Sequence, residues 1–151
     1  MSLKKILLTG TIAGLVMGIA LFLTGAVAAF FTYGPQMAPE GKFEPSQMNP
    51  AYFIWTKLLI GWFFGLLFTF IYAKIYPRLP LKGFFRGVLF AFVLWLVVSL
   101  WGISHPLVYE TIVARHQMFW EIYTLGGFLG YGVALGSLAR KIDPVKEAAT
   151  V

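Results

Sequence analysis

Apolar residues fall along the chain in four blocks of membrane length, separated by segments where polar residues and helix breakers gather. The blocks run from about Ile6 to Phe31, Tyr52 to Tyr76, Gly83 to Ile103 and Met118 to Leu138. A helix rises about 1.5 Å per residue and a bilayer core is about 30 Å thick, so roughly 20 apolar residues cross it. The pattern predicts an all-α membrane protein: a four-transmembrane-helix bundle forming a single domain over residues 1–151.

The separators differ in kind. Tyr33 to Pro50 holds Pro35, Pro39, Pro45 and Pro50 with Gly34 and Gly41, which predicts an extended loop. Lys74 to Arg86 (KIYPRLPLKGFFR) is a short turn broken by Pro77 and Pro80, with four bases and no acid. Pro106 follows Ser104 and His105 and suits a helix start. The segment 106–116 is therefore expected as a short interfacial helix or an extension of the fourth span. Arg140 and Lys141 stop that span, Asp143-Pro144 ends regular structure, and the rest to Val151 is expected to be a mobile tail. The opening looks like a signal peptide, with Lys4 and Lys5, an apolar stretch and Ala26-Val27-Ala28. That stretch exceeds the roughly 7–15 residues of a signal h-region, so an uncleaved helix is expected.

Composition agrees: 59% of the 151 residues are hydrophobic and 12% charged, too little charge to cover a soluble surface. The net charge of +6 sits at the ends of the spans instead of on one face, so it points to lipid headgroups and orientation, not to nucleic acid. With no cysteine, disulfides, thiolate metal sites, iron–sulfur clusters and covalently attached haem are excluded. Nine of the twelve bases share one side: Lys4, Lys5, Lys74, Arg78, Lys82, Arg86, Arg140, Lys141 and Lys146. The other side has Lys42, Lys57 and Arg115 against Glu40, Glu44, Glu110 and Glu121. The positive-inside rule places both termini and the basic turn in the cytoplasm. Aromatic residues fit the same frame, with Tyr33, Tyr52, Trp55, Trp101, Tyr109, Trp120 and Tyr123 in an outer belt and Tyr72, Tyr76, Phe84 and Phe85 in an inner one.

An internal repeat is legible in the glycines. Gly10, Gly14 and Gly18 in the first span align with Gly83, Gly87 and Ala91 in the third, and Gly61 and Gly65 in the second with Gly126 and Gly130 in the fourth. This reads as two duplicated helical hairpins running in the same direction. Helices in lipid associate by close backbone approach at small residues four apart, so these glycines, with Gly132 and Gly136, are expected to pack the bundle. The segment AGLVMG (Ala13 to Gly18), the glycine-bearing second and fourth spans and the basic turn resemble a broad, largely uncharacterised class of small bacterial four-helix inner-membrane proteins. That resemblance covers the whole architecture, implies an inner-membrane bundle, and carries over no functional residue.

Candidate chemistry is sparse. No ionisable residue lies in the central turns of any span, and Lys57, nearest to one, is explained by snorkelling to the outer headgroups. Met37 and Met48, without a histidine or cysteine nearby, read as surface contacts before a copper site. His105 and His116 flank a loop segment, whereas haem ligands inside a bundle project from its helices. There is no serine elbow, carboxylate pair or phosphate-binding glycine loop, so no catalytic residue, metal or cofactor is expected. One outer constellation stands out, with Lys57, His105, Glu110, Arg115, His116, Trp120 and Glu121 near Trp55 and Trp101. Mixed charge among aromatics suits a protein contact, a headgroup or a quinone, against the plainer reading of an interfacial belt. The function expected is a non-enzymatic accessory or structural subunit that packs with itself or a larger membrane complex. The alternatives are a small transporter or channel for a neutral or weakly polar solute, and a haem- or quinone-binding electron-transfer subunit.

Overall fold

The computed structural model describes residues 2–33, 50–81, 83–109 and 114–142, and these form four helices. They are α1 (Leu3–Tyr33), α2 (Pro50–Ile75), α3 (Phe84–Tyr109) and α4 (Ala114–Ile142), with a 3-10 turn at Tyr76–Arg78 after α2. No strand occurs among the described residues. Three stretches are long and apolar enough to cross a membrane: Leu3–Ala28, Ile54–Arg78 and Phe119–Ala139; Phe84–Leu100 adds a shorter apolar one.

Local sequence sets the ends. Pro50 opens α2, where the missing N–H costs no helical bond. Pro77, which cannot donate, tightens the end of α2 into the 3-10 turn, and the Leu79 N–H donates back to the Tyr76 carbonyl at 3.3 Å. Gly83 then takes φ 57°, a left-handed conformation that costs other residues about 1–2 kcal/mol, and aims the chain into α3. Gly83 thus serves the turn, not a helix face. Pro106 does not restart the chain as expected. α3 runs through it to Tyr109, although an interior proline loses one backbone bond and its ring crowds the carbonyl four residues back. Of the expected 106–116 helix, 106–109 belong to α3 and 114–116 to α4. The expected extended loop falls at 34–49 and the expected tail at 143–151, both outside the described residues.

Spatially, α1 packs on α2 and on α4, and α4 also packs on α3. α4 is therefore covered on two sides, and its buried positions 123, 127, 131, 135 and 139 recur every fourth residue beside 128, 132 and 136. Each of the three seams closes at glycine. A methyl group on Gly14 would sit 2.6 Å from the Gly61 carbonyl oxygen and 2.9 Å from Trp62 Cα. Gly10 and Gly18 are nearly as close to Leu66 and to the Lys57 carbonyl. In the α3–α4 seam, Gly87 lies on the backbone of Gly132 and Gly136. In the α1–α4 seam, Gly126, Gly127 and Gly130 receive Thr24, Leu21 and Ala20. Ala13, Met17, Leu21, Phe90, Phe128 and Leu135 fill the space between.

Candidate functional site

Two groups of polar side chains sit inside the bundle, one in each half. In the half that holds the start of α4, three side chains of the outer constellation are described: Lys57, Trp120 and Glu121. Lys57 reaches from α2 to place its ammonium 4.9 Å from the centre of the Tyr123 ring on α4, a cation–π contact that anchors the charge within the protein. Trp120 is 44% exposed and meets Phe119 and Tyr123 edge-to-face. Glu121, the next residue, points elsewhere: it accepts a hydrogen bond from the Ser99 hydroxyl of α3 at 2.5 Å. The Thr24 hydroxyl lies 2.7 Å from the Ala20 carbonyl of its own helix and 3.0 Å from the Tyr123 carbonyl, linking α1 to α4. His105 lies in α3 and Arg115 and His116 in α4, but their side chains fall outside the described part, as does Glu110 entirely. The haem alternative rests on those histidines. Among the described residues no three histidines, cysteines or acids come together to hold a metal.

The other group lies where α2, α3 and α4 meet near the basic turn. The hydroxyls of Thr69 and Tyr131, both fully buried, share a hydrogen bond of 2.9 Å between α2 and α4. Phe68 packs on the rings of Phe128 and Tyr131 beside them. Tyr72, also fully buried, sets its ring at a tilt against Phe90 of α3 at 5.2 Å and edge-on to Tyr76 at 5.4 Å. The Arg86 guanidinium covers the Tyr76 ring at 4.5 Å. α2 and α3 are thus joined through rings and a cation, not at glycines as the other seams are. Three polar atoms, Thr9 Oγ1, Tyr72 Oη and Trp95 Nε1, are buried without a protein hydrogen-bond partner, each a cost of about 1–3 kcal/mol if left dry.

Sequence reasoning did not find this inner group, nor the partner of Glu121. The available signal was the presence of Thr69, Tyr72 and Tyr131 inside apolar spans, where a polar group needs an internal partner. Chemically, the described groups offer hydroxyls, one carboxylate and two ring-bound cations. Compared with protein-family models, with curated proteins and with solved structures, the chain matches none.

Proposed function

We propose that the protein is a non-enzymatic integral membrane subunit, accessory or structural in role, that assembles by helix packing with its own copies or with a larger membrane complex. The observation that carries this reading is the closure of three helix seams at glycine, two of them backbone on backbone and the third with side chains seated on glycine, with rings and aliphatic side chains filling the interior. Such packing stabilises a bundle and leaves little space between those helices for a substrate. The hydroxyls of Thr69 and Tyr131 bond one another, and Ser99 bonds Glu121, so these groups hold helices together. α2 and α3 each have one close helix neighbour, and their far sides are apolar and open, as at Leu59 and Val97, 60% and 62% exposed. Those sides would face lipid or a partner's helices.

On this reading α3 is the fourth span of the bundle, both termini and the Lys74–Arg86 turn face the cytoplasm, and the membrane is a bacterial inner membrane. The charge bias supports the orientation. The glycine seams support two duplicated hairpins in a revised register. Gly14 lies on Gly61 and Gly65 as Gly87 lies on Gly132 and Gly136, so Gly132 and Gly136 are the counterparts of Gly61 and Gly65. Gly126 and Gly130 serve the joint between hairpins.

A second reading, a small transporter or channel for a neutral or weakly polar solute, is favoured by one observation. The Ser99–Glu121 pair puts a carboxylate between two helices inside an apolar stretch, where ionisable groups often mark a pathway. One pair of experiments separates the two readings. Arg115→Ala and Trp120→Ala should weaken co-purification with a partner or self-association while the melting temperature stays at the parent value, since arginine and tryptophan carry much of the energy of protein contacts. Solute flux into proteoliposomes holding this protein alone, altered by Ser99→Ala, would establish the transporter instead.

A further inference from the structure

We infer that the inner end of the α2–α3 junction is a binding site for one anionic phospholipid, whose phosphate is taken by Arg86. The site is built before any lipid arrives. The half-buried Arg86 side chain lies with its guanidinium over the Tyr76 ring, 4.5 Å from its centre, and its Nε donates to the Leu81 carbonyl. Tyr76 is in turn held edge-on by the buried Tyr72, which is wedged against Phe90. Ring and carbonyl therefore hold the guanidinium in place beside the turn.

Among the described residues its two terminal nitrogens meet no acceptor. Glu121, the only acid described, is taken by Ser99 well along α3. A planar pair of donors with no anion beside it among the described residues matches the paired oxygens of a phosphate. The level is also right: the apolar stretch of α2 ends at Arg78, so Tyr76 and Arg86 lie where a bilayer's headgroups begin. The neighbours Lys74 and Arg78 add positive charge, and no acid occurs from Lys74 to Arg86, which favours an anionic lipid over a zwitterionic one. Because α2 and α3 meet here through rings, a lipid bound to Arg86 and resting along both helices would add a joint that the glycine seams lack. The inference rests on the chain being a membrane protein and holds for either function proposed above.

The test uses the full chain in mild detergent, titrated with phosphatidylglycerol, with phosphatidylethanolamine of the same acyl chains, and with inorganic phosphate. Native mass spectrometry and thermal melting are the readouts. Phosphatidylglycerol should bind saturably and raise the melting temperature, phosphatidylethanolamine should do so weakly, and inorganic phosphate should do neither. Arg86→Gln should weaken phosphatidylglycerol binding about fivefold or more, from the attraction that a single base has for an anionic surface. Arg86→Lys keeps the charge without the planar fork and should fall between the two. Tyr76→Leu removes the ring platform and should weaken binding even if Arg86→Gln fails to fold. Lys74→Gln, on an exposed side chain over Phe70, removes one neighbouring charge but no donor to the phosphate and should weaken binding less than Arg86→Gln does. Equal binding by the parent and Arg86→Gln, an equal loss in Lys74→Gln, or no preference between the two lipids would overturn the site. So would displacement of the lipid by inorganic phosphate, which would indicate a free-anion site. None of those results would affect co-purification with a partner, so the subunit reading would stand or fall separately.

Discussion

Replacing Gly14 by alanine tests the central physical claim, that α1 and α2 are held by direct backbone contact. The added methyl would lie 2.6 Å from the Gly61 carbonyl oxygen, 2.9 Å from Trp62 Cα and 3.1 Å from Gly65 Cα. All three neighbours are backbone atoms, so no side chain can swing aside. Ordinary contact distance is about 3.5–4.0 Å, so the helices must part by roughly 1 Å at the crossing. A gap of that size forfeits a quarter to a half of each pair's attraction of about 0.1–0.2 kcal/mol, and a close crossing makes on the order of 30–60 such pairs. The expected loss is about 1–3 kcal/mol, the usual range for one methylene forced into a packed interior. Leucine at the same position should cost more.

Thermal melting in detergent, with retention of monodisperse protein, is the assay. Two controls sharpen it. Leu59→Ala, on an open apolar side of α2, should change little. Gly25→Ala meets only the Tyr123 ring, at 3.2 Å, and a ring edge can yield, so it should cost less than Gly14→Ala. If Gly14→Ala and Gly14→Leu both melt with the parent, or Leu59→Ala costs as much as they do, backbone contact does not hold this seam.

Three further outcomes follow from the same geometry. Thr69→Val and Tyr131→Phe should each destabilise the fold, while the double variant should lose less than the sum, with a coupling of about 0.6 kcal/mol by a double-mutant cycle; strict additivity would mean that the 2.9 Å bond contributes nothing. Gly83→Ala should cost about 1–2 kcal/mol through its φ of 57°, whereas Gly83→Asn, which tolerates that region better, should recover part of the melting temperature; equal melting of all three proteins would contradict the turn geometry. Single cysteines at Gln47 and Pro80, probed in intact cells with a membrane-impermeant reagent, should label at 47 and not at 80, and the reverse pattern would invert the proposed orientation.

The sequence by itself determined that the chain makes long apolar helices, roughly where they run, and many of the glycines that lie at their seams. Residue type suffices for that, because lipid forces backbone polar groups into helices and proline and glycine mark the turns. It also singled out Lys57 and Glu121 as charges near the spans, but not what they touch. Only the tertiary structure decided which helices adjoin. α1 and α2 are apolar all the way round, so no stripe of polar residues distinguishes a buried side from a lipid-facing one. Glycine carries no side chain to identify its partner, so the pairing of Gly87 with Gly132 and Gly136, and of Gly126 with Thr24, appears only when the helices are set together. Ser99 with Glu121, Thr69 with Tyr131 and Arg86 with Tyr76 are pairs from different helices or from opposite sides of a turn. The helix crossings decide such pairs, and chain spacing alone does not encode them.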